Sequence, residues 1–412
     1  MPIHEHRYPN GLVLVAESMQ SLESVAFTFL LPVGSAYDPA DRAGLTSMTC
    51  EMALRGCGDL DSRQYVERLE SLGIETGEAV TVSHTCYRSA MLAEHLQEAI
   101  GLYGDLLLRP RLPVDELESS RQVAVQEYRA LDDELLQKVM VELRRGHYPA
   151  PWGQSHHGNL EGLAHIKLED IRNHFAGGYR PNGTILGVAG KFSWDELQES
   201  VGQVFGDWET GDWVEPDDGV LKVHRNHLEH DSNQTQIALA YPSIPYKHED
   251  YFQAWGAVGV LSEGSSSRLF TEVREKRGLC YSVGASTRSL KEHGSVFCHA
   301  GTTAERAQET LDVMIAELVK LAGGIEAEEL DRLKAKMKSS LIMSQESSMA
   351  RAGALARDWY HLERVRPLDE ISACVDALTP ASINKYLEEH PPGDFTVVTL
   401  GPQSLEMPDA IS

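Results

Sequence analysis

The chain of 412 residues repeats itself, and the repeat limits what it can fold into. Ala93–Leu108, AEHLQEAIGLYGDLLL, reads against Ala304–Val319, AERAQETLDVMIAELV. Both begin Ala-Glu and carry Gln-Glu at the same offset. Leu96, Ile100, Tyr103 and Leu107 match Ala307, Leu311, Met314 and Leu318, and each set has the spacing of one buried helix face. A strand-like run precedes each helix, at His84–Met91 and Ser295–Gly301. A second long helix follows each, near Val114–Ala130 and Ala327–Met343. A repeat of about 211 residues in such a chain means two similar halves.

Each half mixes elements in the order strand, helix, strand, strand, helix, helix. Val25–Leu31 and Gln236–Tyr241 are the first β-rich strands, and Asn10-Gly11 between short extended runs predicts an opening hairpin. This order predicts an α+β fold of two homologous halves, each a mostly antiparallel sheet with helices packed on one face. The stretch Gly206–Gly219, GDWETGDWVEPDDG, is rich in turn residues and reads as the linker. The expected domains are therefore 1–208 and 220–412. No Gly-x-Gly-x-x-Gly and no phosphate-binding Gly-x-x-x-x-Gly-Lys-Ser/Thr is present.

Lys and Arg total 37 against 62 Asp and Glu, a net charge of −25. Such a field repels nucleic acid and anionic membrane, so neither is an expected partner. No apolar run approaches the ~18 residues of a membrane span, and MPIHEHRYPNG has no secretory character. Six scattered cysteines suit free thiols in a reducing cytoplasm.

Four stretches anchor a resemblance: Gly44–Gly58, GLTSMTCEMALRGCG; Glu127 in RQVAVQEYRA; Tyr179–Gly190, YRPNGTILGVAG; and Gly264–Val283, GSSSRLFTEVREKRGLCYSV; Gly73–Glu78, GIETGE, departs from the same pattern. Together they resemble the pitrilysin/insulinase family of zinc peptidases over nearly the whole chain. The family's zinc helix reads Gly-x-x-His-x-x-Glu-His-Met. Here Gly44 and Met52 keep the frame, Ser47 and Glu51 stand at the two His positions, and Cys50 stands at the general-base Glu. Glu127 falls at the third ligand. A catalytic zinc needs about three protein ligands and an open position for water, which it brings to a pKa of ~7; Glu127 alone cannot hold it. Gly77 replaces the Asn of the family's substrate-edge strand, and Ser120 stands where active members often carry a supporting Glu. The resemblance implies that Arg274 and Tyr281 are the family's pair that binds substrate backbone and steadies the tetrahedral intermediate.

Each residue also has a plainer reading. Glu127 could be a surface carboxylate and Cys50 a small buried thiol; Cys50, Glu51 and Glu127 form a poor substitute metal site. His224, His227 and His230 lack zincin spacing and read as solvated, and His156-His157 as structural. Arg274 and Tyr281 could simply close a charged helix turn ended by Gly278.

The resemblance thus implies a non-catalytic subunit of a zinc metallopeptidase, similar to a bacterial processing-peptidase subunit. It would bind no metal of its own and would give half of a peptide-substrate chamber, with Arg274 and Tyr281, to a zinc-bearing family member as heterodimer partner, or pair as a homodimer. The loop SEGSSS is shorter than the glycine-rich loop of the mitochondrial alpha subunit. Two alternatives remain: an active zinc peptidase with an unusual site, and a structural scaffold or binding protein of the same fold.

Overall fold

The computed structural model describes residues 2–212, 214–217, 219–344 and 346–408. Of the expected linker, Trp213 and Asp218 lie outside the described residues, as do Met1, Gln345 and 409–412 of the expected halves. The chain forms two compact units, each woven from separate segments: Met1–Ala130, Gln154–Asp217 and Ile342–Pro367 make the first, and Leu131–Gly153, Asp218–Leu341 and Leu368–Ser412 the second.

The strands of the first unit are β1 (Ile3–Arg7), β2 (Val13–Ser18), β3 (Ser24–Leu31), β4 (Gly56–Cys57), β5 (Leu60–Asp61), β6 (Glu75–Val80), β7 (Thr85–Leu92) and β8 (Ile185–Gly190). Its helices are α1 (Leu45–Ala53), α2 (Ser62–Ser71), α3 (Leu96–Leu108), α4 (Leu117–Ala130), α6 (Leu160–His165), α7 (Leu168–Gly178), α8 (Trp194–Phe205) and α12 (Ser348–Leu362). Among the described residues, six strands join in the order β1-β2-β8-β3-β7-β6. The predicted hairpin is β1 with β2, in antiparallel register from Ile3↔Glu17 to Arg7↔Val13. Gly11 turns it at φ +89°, a conformation that favours glycine. Within this sheet, among the described residues, β2 and β8 run parallel and the other pairs antiparallel.

Both faces of this sheet are covered, so β2 and β8 are buried along their whole length. Leu14, Phe27, Phe29, Leu186 and Val188 pack on one face with Ile100, Leu107, Val201 and Phe205 of α3 and α8. The alternate residues Val13, Val15, Ala26, Ile185 and Ala189 pack with Ala352, Leu355 and Ala356 of α12. Gly187 permits that approach, because a Cβ there would lie 2.4 Å from the Ala352 carbonyl oxygen. Arg351 of α12 meets Glu17 of β2 at 2.5 Å, both side chains 5 % exposed.

The second unit carries β9 (Arg225–Glu229), β10 (Gln234–Ser243), β11 (Cys280–Ser289), β12 (Gly294–Thr303) and β13 (Thr396–Gly401). Its helices are α5 (Leu135–His147), α9 (Tyr251–Ser262), α10 (Ala307–Leu321), α11 (Ala327–Ser344, to Leu341), α13 (Leu368–Ala377) and α14 (Pro380–Glu389). Among the described residues, the order β9-β13-β10-β12-β11 repeats the five strands β2-β8-β3-β7-β6 of the first unit, without a counterpart of β1, and includes one parallel pair, β13 with β9. Ile185 and Thr396, which open β8 and β13, stand 211 positions apart, and so do Leu96 and Ala307, which open α3 and α10.

Ile237, Leu239, Cys298, Ala300 and Val397 pack with helices on one face. The other face takes α5, whose Val139, Leu143 and His147 are buried. His147 is pinned by Ser295 Oγ at 2.9 Å and Thr396 Oγ1 at 3.2 Å. Burial pushes its imidazole down to about 4, so it is neutral.

The fold is the α+β pair of sheet-and-helix halves that the sequence predicts. Its covering differs in one respect: each sheet also carries a helix on its second face. That helix comes from the other half of the chain, α12 in the first unit and α5 in the second. Relative to the expected segments 1–208 and 220–412, the compact units trade these two helices.

Candidate functional site

Three faces of α1 have different fates. Leu45, Met48 and Met52 join one apolar cluster, while Cys50 and Ala53 join the core of the first unit. Ser47 and Glu51, one turn apart, stand on the remaining side. The helix start is firmly built. Gly44 adopts φ +99°, and the Asp38 carboxylate accepts from the N–H groups of Gly44 and Thr46, both at 2.8 Å, and from the Thr46 hydroxyl at 2.6 Å. Thr46 Oγ1 also lies 2.9 Å from His174 Nε2 of α7. With the hydroxyl proton on Asp38, the ring nitrogen is the donor in that contact. Burial raises the Asp38 carboxyl to about 6, and its hydrogen bonds from Thr46, Gly44 and Leu45 work against the rise. Burial lowers His174 to about 4.

The altered positions already have partners. The Ser47 hydroxyl donates to the His156 carbonyl oxygen at 2.6 Å. Arg55, one turn beyond Glu51, donates from Nε to Glu51 Oε1 at 3.1 Å and from Nη1 to Glu116 Oε2 at 3.1 Å. Burial pushes the Cys50 thiol up to about 12, against a hydrogen bond with Tyr87, so it stays protonated. Glu127 on α4 is raised above the usual carboxylate range, first by desolvation and then by the like charges of Glu51 and Glu78. Both charged neighbours are thus carboxylates. Among the described residues, no group of three or more His, Cys, Asp or Glu side chains is arranged to hold a metal ion. This donor set does not fit a catalytic zinc. Gly77 lies on β6, the edge strand of the sheet, with nothing within 4 Å of where a Cβ would stand.

Arg274 and Tyr281 belong to the second unit, and both sit on irregular backbone. Phe270–Glu275 is a π-helical turn, which places the exposed Arg274 guanidinium 4.9 Å over the Phe270 ring. Gly278, at φ +59°, ends the turn by donating to the Arg274 carbonyl oxygen at 3.0 Å. Tyr281 is the extra residue of a β-bulge: Cys280 pairs with Thr302 and Ser282 with Gly301. The bulge turns the tyrosine out, 54 % exposed, yet its hydroxyl is held. Gln236 Nε2 donates to it at 3.0 Å, and it donates to Gln234 Oε1 at 3.2 Å.

The structure therefore gathers Ser47, Cys50, Glu51 and Glu127 in the first unit and Arg274 with Tyr281 in the second. The sequence reading missed Arg55, Asp38 and the two glutamines. The first was visible as a Glu-to-Arg pair four apart, and the last as alternating Gln residues opening the apolar run QTQIALA. Of the other histidines considered, His227 bonds Thr399 Oγ1 at 2.9 Å from β9.

The family model described as insulinase (peptidase family M16) matches residues 13–148, and that described as the peptidase M16 inactive domain matches residues 165–337. The chain belongs to peptidase family M16, the insulinase family. The first M16 model spans the altered α1 and the second spans Arg274 and Tyr281. M16 relatives align over almost their full length. An uncharacterized zinc protease of Bacillus subtilis, YmxG, is 25 % identical over 411 residues, covering 97 % of this chain and 98 % of that protein. An uncharacterized zinc protease of Rickettsia felis is 22 % identical over 398 residues, covering 96 % and 97 %. Among solved structures, the peptidase M16 inactive domain from Pseudomonas fluorescens superposes with a TM-score of 0.88 at 20 % identity, over 99 % of this chain and 100 % of that one. A protease from Helicobacter pylori gives a TM-score of 0.87 at 21 % identity, over 97 % and 99 %. These two likenesses carry the M16 fold. Among the described residues, no helix is long and apolar enough to cross a membrane.

Proposed function

We propose that this chain is a non-catalytic subunit of a zinc metallopeptidase. It gives half of a substrate chamber, and the donors Arg274 and Tyr281, to a zinc-bearing family member that cleaves peptides. One contrast carries the reading. Two positions that would bind zinc, Ser47 and Glu51, are satisfied within the chain by His156 and Arg55, whereas the Arg274 side chain is exposed and stacks on Phe270. A guanidinium and a phenol can both donate to a peptide carbonyl or a developing oxyanion, which this chain's own helix cannot generate. A heterodimer follows, since a second copy would bring no zinc. The free cysteines, five of them buried, suit a reducing compartment, and we assign the chain to the cytoplasm.

The test joins metal analysis with reconstitution. Elemental analysis of the purified chain gives no stoichiometric zinc, and the chain alone leaves unstructured peptides intact. In the mixed complex, Arg274→Lys or Tyr281→Phe lowers turnover by ~10²–10³-fold while native mass shows assembly intact. Lysine keeps the charge and loses the planar fork. About one zinc per chain, lost on changing Glu51 and Glu127, with peptide cleavage by the chain alone, would establish an active peptidase instead. Unchanged turnover in both variants would leave a scaffold.

A further inference from the structure

Tyr281 occupies a seat built from three strands. Its ring lies across Gly301 of β12, where any Cβ would stand 2.5 Å from both Cζ and the hydroxyl oxygen. Its hydroxyl accepts from Gln236 and donates to Gln234, both on β10. Gln236 is 3 % exposed. A buried primary amide is costly unless its hydrogen bonds are made, and an apolar side chain would suit this strand, which continues Ile237, Ala238 and Leu239. An ordinary surface tyrosine needs neither a glycine floor nor a buried amide beneath it.

We propose that Gln236 is a positioning residue for Tyr281, and that Gln234 is the resting acceptor that a bound peptide displaces. This rests on the reading of Tyr281 as a peptide contact. The geometry gives the two glutamines opposite roles. Gln236 feeds a hydrogen bond into the phenol oxygen, which polarises the O–H and makes it a better donor. Gln234 Oε1 accepts a hydrogen bond from the phenol O–H, the longer of the two contacts. A peptide carbonyl replaces Gln234 by a rotation of the O–H alone, with the ring and oxygen held in place by Gly301 and Gln236. The donor is thus pre-organised, and little ordering is needed on binding.

The experiment uses the full chain with 3-fluorotyrosine at position 281, read by ¹⁹F NMR, and titrates a fluorescein-labelled unstructured peptide by anisotropy. Gln236→Met keeps the volume and removes the amide. It is expected to shift the position-281 resonance toward that of solvated fluorotyrosine and to weaken peptide binding by roughly 3–10-fold, the worth of one hydrogen bond. Gln234→Ala, which removes the competing acceptor, is expected to tighten binding. In a Tyr281→Phe background, Gln236→Met should weaken binding no further. An unmoved resonance in Gln236→Met, or equal weakening in the Tyr281→Phe background, overturns the positioning role. If the unmodified chain binds no peptide while the resonance still responds to Gln236→Met, the seat exists, but the peptide role assigned to Tyr281, and this proposal with it, is overturned.

Discussion

Two buried groups at the start of α1 respond to pH in opposite senses. Folding lifts the Asp38 carboxyl from 3.8 to about 6, so between those values the folded chain holds a proton that the unfolded chain has lost. That contribution to stability is present at low pH and is lost as pH rises through about 6. Folding lowers His174 from 6.5 to about 4, so the unfolded chain takes up a proton first as pH falls. That contribution is present above 6.5 and is lost on acidification. Both windows overlap between about 4 and 6, and the two slopes oppose each other. Thermal denaturation from pH 4 to 7 should therefore show a shallow dependence from this pair in the unmodified chain. Asp38→Asn should steepen the loss of stability on acidification, and His174→Gln should reverse the slope. Parallel shifts of both variants at every pH would mean that the network does not titrate in this way. The same residues explain what holds α1 in position: its anchor is a carboxylate at the helix N-terminus.

At the scale of elements, α12 and α5 decide what can fold. A fragment 1–208 lacks α12, leaving Val13, Val15, Ala26, Ile185 and Ala189 uncovered and Glu17 without Arg351. A fragment 220–412 lacks α5, which supplies Val139, Leu143 and His147 to its sheet. Each fragment alone should give little cooperative unfolding by circular dichroism, and mixing the two should restore it. Cooperative folding of either fragment alone would show that the exchanged helices are dispensable. Within the whole chain, Arg351→Ala strips the partner from a buried carboxylate and should cost about 3–5 kcal/mol in urea denaturation. Arg63→Leu, which removes an exposed side chain paired with Glu67 at the surface, is a control worth under about 1 kcal/mol.

For the whole molecule, the join between the repeats is part anchored and part exposed. Trp208 Nε1 donates to the Tyr179 carbonyl oxygen at 3.1 Å, and Asn182 exchanges two hydrogen bonds with Gly211, at 2.8 and 3.1 Å. Beyond them Val214 and Val220 are 86 % and 80 % exposed. Limited proteolysis should therefore nick between 212 and 222 and spare 206–211. First cleavage before Gly211, read by mass spectrometry of the fragments, would contradict this. The sequence by itself determined the duplication and the layered halves, because these are carried by local spacing and residue type. Helical and strand periodicity survive in a linear reading. The tertiary structure alone decided which helix covers which sheet, what holds α1, and how Tyr281 is seated. Those contacts join residues distant along the chain, 334 positions for Glu17 with Arg351, 128 for Thr46 with His174 and 45 for Gln236 with Tyr281. No local periodicity encodes such pairings; they exist only once strands and helices have packed and buried polar groups must find partners.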